Sequence, residues 1–306
     1  MLLMSSLKTV IFLLCTLLNV AFFTLLERKI LGYMQIRKGP NKTGMMGLLQ
    51  PFSDAIKLFS KEVSSLKVSN ILIFSGGPLM SLSIMLIVWM SAPFLWSGLE
   101  VEISSVFMLC LMSLGVYPIF SSGWSSNSKY SLMGGLRAIA QTISYEVSLA
   151  LIFLGFLASA GSLSMESFSL ESVAMLGLVH PLMAAMWIIT CLAETGRSPF
   201  DLPEGESELV SGFNTEYSSG MFALFFLGEY GMMIFLSYMS SVILMGGMTN
   251  PFLAVTTLLI VFFFIWARGT LPRFRYDLLM NLTWKLFLPV ALGYLVFILS
   301  FTLYSR

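Results

Sequence analysis

Two carboxylates in this 306-residue chain stand deep inside apolar runs. Glu146 follows Tyr145 in one run, and Glu229 precedes Tyr230 in another. An acid near the centre of a bilayer costs about 2.5–3.5 kcal/mol on insertion scales, so such a group calls for a reason. One reason is proton exchange; the plain alternative is a protonated carboxyl that only bonds a neighbouring helix. A third concentration of acid lies in a Pro- and Gly-containing stretch between two apolar runs: Glu194, Asp201, Glu204, Glu206, Glu208 and, further on, Glu216. Arg197 is the cation set among them. Clustered carboxylates repel, and repulsion raises the pKa of some, so such a group can take and give protons near neutral pH. The bland alternative is a loop made soluble by its charges.

Other chemistries lack their residues. The cysteines are Cys15, Cys110 and Cys191, and the one histidine is His180. All three thiols sit in apolar runs, where a buried inert thiol is the ordinary reading. No CxxC, HExxH or histidine pair is present, so a self-contained iron–sulfur, haem or zinc centre is not expected. Neither GxGxxG nor GxxxxGK[ST] occurs, and no metal site is expected. His180, beside Pro181, reads as structural. The Phe and Met stripes read as lipid-facing or packing residues.

The elements that must position these acids are membrane spans. The chain is 57% hydrophobic and 11% charged, with mean hydropathy +0.87, against about 25% charged in soluble domains. Its net charge of +1 carries no argument for nucleic acid. Hydropathy predicts eight spans in a single membrane domain, 1–306, near 4–26, 71–95, 104–121, 136–160, 174–193, 219–244, 252–271 and 284–304. Pro118 and Pro181 shorten the third and fifth. The first run is closed by Glu27-Arg28-Lys29 with no small-residue cleavage site after it, and reads as a retained span. No internal repeat is visible, which argues against an inverted-repeat transporter.

Of the 17 lysines and arginines, 15 fall in loops on one side or their flanks. Only Lys8 and Arg306 lie on the other. By the positive-inside rule both termini face the outer compartment. The acidic loop, 194–218, is thus on the basic side. Between spans one and two, Leu48, Phe52, Ala55, Ile56 and Phe59 recur at three- and four-residue steps, with Gln50, Ser53, Asp54, Lys57 and Lys61 between them. The spacing predicts an amphipathic helix over 47–61, lying on the membrane surface, on a partner, or on its own bundle. Glu27 and Arg28 end the first span on the same face, where such charges commonly anchor a helix at the interface.

Several long motifs resemble a known family. Leu26-Glu27-Arg28-Lys29-Ile30-Leu31-Gly32-Tyr33-Met34-Gln35, Arg37-Lys38-Gly39-Pro40-Asn41 and Gln50-Pro51-Phe52-Ser53-Asp54-Ala55-Ile56-Lys57-Leu58-Phe59 are three of them. Gln141-Thr142-Ile143-Ser144-Tyr145-Glu146-Val147, Pro199-Phe200-Asp201-Leu202, the run from Glu204 to Asn214, and Leu271-Pro272-Arg273-Phe274-Arg275-Tyr276-Asp277 complete the set. They resemble the first chain of respiratory complex I, the proton-pumping NADH–quinone oxidoreductase. Length and Phe- and Met-rich usage resemble the mitochondrially encoded animal type.

The resemblance implies an all-α bundle of eight spans without complete activity alone. It implies a chamber for the quinone head group, its tail entrance between span one, the amphipathic helix and span six. Glu27, Arg28, Asp54 and Lys57, with Phe200, Arg273 and Arg275, match its lining. The acidic loop matches the funnel beneath it, with Asp201, Glu204, Glu206, Glu208 and Glu216. Glu146, Glu194 and Glu229 match the acids that lead protonic coupling outward. Pro203 and Gly196 stand where some relatives carry other residues. Ubiquinone is the implied substrate, with FMN and iron–sulfur clusters on partner subunits. The implied partners are the peripheral quinone-site and last-cluster subunits, adjacent membrane subunits and the lipid of the mitochondrial inner membrane, with both termini in the intermembrane space. The rivals are the equivalent subunit of a membrane-bound hydrogenase and a stand-alone ion-coupled transporter.

Overall fold

A computed structural model describes residues 2–63, 67–92, 103–165, 176–202, 205, 210–246 and 252–305. Its described residues are helical or irregular, without strands. The helices are α1 (Leu2–Met34), α2 (Gln50–Ser60), α3 (Ile71–Met90), α4 (Ser104–Leu114) and α5 (Val116–Ser125). Next come α6 (Lys129–Ala160), α7 (Leu176–Val179), α8 (Pro181–Glu194) and α9 (Ser219–Met245). The chain closes with α10 (Phe252–Thr270), α11 (Tyr276–Asn281), a π-helical turn (Leu282–Phe287) and α12 (Leu288–Ser305). Among the described residues, seven helical stretches are long and apolar enough to cross a membrane. Helix α8 is apolar but has 14 residues, about 21 Å at 1.5 Å per residue, short of the roughly 30 Å hydrocarbon layer.

The breaks have local causes. Pro181 opens α8, and a residue before proline is pushed from the α region, so His180 sits at φ −124°. The His180 imidazole Nδ1 is 2.8 Å from the Tyr294 hydroxyl, which ties α8 to α12. The third span is interrupted at Gly115 rather than at Pro118, and its helix runs on to Ser125. The first helix continues past 26 to Met34, and the fourth starts at Lys129 rather than 136. The helix expected over 47–61 occupies Gln50–Ser60. Residues 93–95 of the second span, 174–175 of the fifth and most of 203–209 lie outside the described residues.

Pro78 stands inside α3 and has no N–H for the Phe74 carbonyl four residues earlier. That carbonyl accepts instead from the Tyr217 hydroxyl at 3.0 Å, while the two rings stack at 4.1 Å. Burial pushes the Tyr217 hydroxyl up to about 12, so it is a protonated donor at neutral pH. The core lies where α3, α6, α8 and α9 meet, around Met85, Tyr145, Phe153, Trp187, Phe235 and Met239. Glycine allows a close approach here: a Cβ at Gly231 would stand 2.6 Å from Met85 Cε, and Trp89 Nε1 donates to the Gly231 carbonyl at 3.1 Å.

Candidate functional site

Both sides of the site hang on inter-helical polar contacts at one end of the bundle. Helix α2 begins with Pro51 near its start, a position that needs no N–H donor. It lies across the end of α1: Phe22 and Phe52 meet edge to face at 6.0 Å, and Arg28 Nη1 donates to Asp54 Oδ2 at 2.6 Å. Gln50 Nε2 holds the other Asp54 oxygen at 2.9 Å, and Thr43 in turn donates to Gln50 at 2.7 Å. Phe59 packs beside Gly220 at the start of α9. Lys57 is exposed on the same helix.

Glu27, one residue before Arg28, points the other way. It is buried, and its carboxylate accepts from Arg268 near the end of α10. The adjacent Arg28 is therefore not its partner. Sequence reading missed Arg268; the available signal was an arginine in the last turn of an apolar helix.

The segment after α8 folds back on the bundle. Gln141 of α6 donates from Nε2 to the Ala193 carbonyl at 3.1 Å and to the Phe200 carbonyl at 2.8 Å. Phe200 is buried, stacked on Phe274 at 5.5 Å and tilted against Tyr145 at 5.8 Å. The Phe274 N–H donates to the Pro199 carbonyl at 2.9 Å, and Arg273 Nη2 to Asp201 Oδ2 at 3.0 Å. These bonds bring Phe200, Asp201 and Arg273 together. Arg275 stands apart: it pairs at 3.0 Å with exposed Asp277.

Arg197, set among the loop acids in the sequence, reaches across to α9. It is 4% exposed, and its Nη2 donates to Glu229 Oε2 of α9 at 3.1 Å. Glu229 shares one cavity of about 100 Å³ with Glu146 of α6 and Glu194 at the end of α8. Gly115, Pro118, Thr142 and Phe225 also line it, so the break between α4 and α5 faces the acids. Glu146 and Glu194 line a second cavity of about 250 Å³ beside Met112 and Val147. Oxygens Oε1 of Glu146 and Oε2 of Glu194 are buried without a protein partner. A buried carboxyl oxygen without a donor is costly, and a cavity of this size with carboxylates in its wall has room for bridging water. Thus the structure gathers Glu146, Glu194 and Glu229 at one place. Glu216 lies apart, half-buried after the 3₁₀ turn Gly212–Asn214. Glu204, Glu206 and Glu208 are outside the described residues.

This is an all-helical protein of multiple apolar spans, with carboxylates held inside the bundle and ion pairs binding its charged end. The NADH dehydrogenase family model matches residues 7–299. NADH-ubiquinone oxidoreductase chain 1 of Aedes aegypti is 54% identical over 97% of this chain and 96% of its own length. The protein of the same description from Anopheles gambiae is 51% identical over 98% and 96%, and that from Phascolarctos cinereus 48% over 93% and 92%. The chain belongs to the NADH dehydrogenase family, among its chain 1 proteins.

Proposed function

We propose that this chain is the core membrane subunit of the proton-translocating NADH–ubiquinone oxidoreductase of the mitochondrial inner membrane. In that complex it forms the quinone chamber and the acidic path that couples quinone reduction to proton movement. Membership of the family supports the oxidoreductase complex as its setting. The observation that carries the site reading is the crossing of α2 over the end of α1, tied by Arg28 and Asp54. In this reading an isoprenoid tail enters from lipid between α1, α2 and α9 without crossing water, at about 25 cal/mol per Å² of apolar surface buried. The head group then meets a few placed polar groups in an apolar setting, the usual composition of a small-molecule site. Arg28, Asp54 and Lys57 supply them, with Glu27, Phe200, Arg273 and Arg275 toward the neighbouring loops.

Electrons arrive from FMN and iron–sulfur clusters on partner subunits, the last of which sits beside the quinone. Glu146, Glu194 and Glu229 receive the consequence of reduction as a change of charge. Asp201, Glu204, Glu206, Glu208 and Glu216 form the funnel beneath. In this reading α7 and α8 together make the eighth crossing, and α2 lies at the membrane surface. Both termini then face the intermembrane space, as the one-sided lysines and arginines require.

A photoreactive ubiquinone added to the assembled complex should label the segment from Glu27 to Lys61. Arg28→Ala should raise the apparent KM for quinone, with NADH oxidation by an artificial acceptor unchanged. Labelling confined to other loops, together with unaltered quinone kinetics in Arg28→Ala, would falsify the chamber. A cysteine placed near Gly44 should react only from the matrix side of sealed membranes; reaction from the outer side alone would reverse the topology.

A further inference from the structure

Helices α5 and α6 fold back on each other and meet at two glycines. A Cβ at Gly123 would stand 3.2 Å from Gly135 Cα and 3.1 Å from the Ser131 carbonyl oxygen, so the two backbones touch there. Larger side chains rise from this floor as walls: Phe120 and Trp124 from α5, and Leu132, Leu136 and Ile139 from α6. They enclose a groove of about 240 Å³ with no charged residue in its lining among the described residues. Phe120, Trp124, Leu132 and Leu136 are all exposed. Lys129, Leu132, Leu136 and Ile139 recur at three- and four-residue steps, so the first residue of α6 stands at the end of its wall. Lys67 is brought to the same end. Asn127 Nδ2 donates to the Val68 carbonyl at 2.7 Å, and the Asn70 N–H donates to the Ser125 carbonyl at 3.1 Å. Both lysines are exposed.

We propose that this groove binds an anionic phospholipid, with an acyl chain between α5 and α6 and the phosphate on Lys129 and Lys67. From Lys129 to Ile139 the helix rises about 15 Å at 1.5 Å per residue, half of the roughly 30 Å hydrocarbon layer. The site therefore has the depth of one leaflet, with cations at the level of the head groups and apolar walls at the level of the chains. Trp124 and Tyr130, both exposed, stand at the same end, where amphipathic rings favour the membrane–water boundary. Lysines at that level attract anionic lipid, and basic groups beside a cleft between spans recognise its phosphate. A partner helix fits this groove less well, because spans associate through small residues that let backbones approach. Here the small residues, Gly123 and Gly135, are taken up by the contact of α5 with α6, and the outward walls are Phe, Trp, Leu and Ile. The proposal is independent of the quinone reading and requires only that α5 and α6 lie in the bilayer.

The test uses the assembled complex in phosphatidylcholine vesicles doped with a lipid that carries a photoreactive diazirine in its acyl chain. The probe is either phosphatidylglycerol, which is anionic, or phosphatidylcholine, which is not, each at sub-saturating concentration. Phosphatidylglycerol should label the stretch from Phe120 to Ile139. Phosphatidylcholine should label it roughly twentyfold less, the scale of two lysines at about fivefold each. Lys129→Gln should lower labelling by phosphatidylglycerol about fivefold, and Lys67→Gln combined with Lys129→Gln should lower it to the phosphatidylcholine level. Labelling by phosphatidylcholine should not change in either variant.

Equal labelling by the two lipids, or undiminished phosphatidylglycerol labelling in the double variant, would overturn the proposal and leave the groove as ordinary lipid-facing surface. Labelling by neither lipid would overturn it in favour of a partner subunit seated between α5 and α6. Should the lysine variants fail to assemble, the comparison of the two lipids on the unaltered complex decides the matter.

Discussion

Glu27 and Arg268 are 241 residues apart in the chain and form an ion pair that binds the end of α1 to the end of α10. Glu27 is the more buried of the two, with its side chain 6% exposed against 32% for Arg268. Removing one partner of a buried pair strands a charge, at about 3 kcal/mol. Arg268→Gln is therefore expected to lower assembly of the complex by that order. Glu27→Gln/Arg268→Gln should assemble better than Arg268→Gln alone, though with altered quinone kinetics. Thermal inactivation of both variants in the complex checks this.

Glu146→Gln and Glu229→Gln are each expected to assemble and to impair proton-coupled quinone reduction. Glutamine preserves volume and hydrogen bonding but exchanges no proton. Proton uptake measured against quinone turnover distinguishes this from a packing role. Unchanged uptake and turnover in both variants would leave only the packing role.

Tyr217→Phe is expected to destabilise the protein by about 1–2 kcal/mol, because the Phe74 carbonyl freed by Pro78 loses its donor. The hydroxyl is raised to about 12, above its ordinary value near 10. Its contribution is therefore complete below pH about 10 and declines as pH rises toward about 12. Melting of the wild type and variant should show a constant difference between pH 6 and about 9, a window below both values. A difference that varies across it argues against the assignment.

Gly134→Ala is expected to cost about 1–3 kcal/mol. The added Cβ would stand 2.7 Å from the Gly212 backbone, which has no side chain to move aside. Gly76→Ala in α3 is the control: nothing lies within 4 Å, and helix propensity favours alanine by up to about 1 kcal/mol. Equal thermal stability of the two variants would contradict the close packing of α6 against the 3₁₀ turn.

The parts legible in the sequence are those with a local cause. Apolar length marks the spans, because unpaired backbone groups are excluded from hydrocarbon and helices satisfy them within one segment. The three-to-four-residue recurrence of Phe52, Ile56 and Phe59 marks α2 for the same reason: helical period is a property of neighbours. Glu146 and Glu229 are conspicuous because a carboxylate in an apolar run violates its surroundings wherever the run ends up.

Pairing has no such local cause. Arg28 is next to Glu27 in the chain, yet successive helical residues diverge by about 100°, so Arg28 reaches Asp54 while Glu27 reaches Arg268. Arg197 sits among acids in the sequence and is carried by the fold-back of its loop to Glu229. The break at Gly115 gives only a weak signal beside the more obvious Pro118, and it matters because the gap faces three acids drawn from α6, α8 and α9. Composition and period determined which segments are helices and which charges are out of place. Only the packing of helices distant in sequence decided which charge neutralises which, since a Coulomb contact depends on separation in space and is indifferent to separation along the chain.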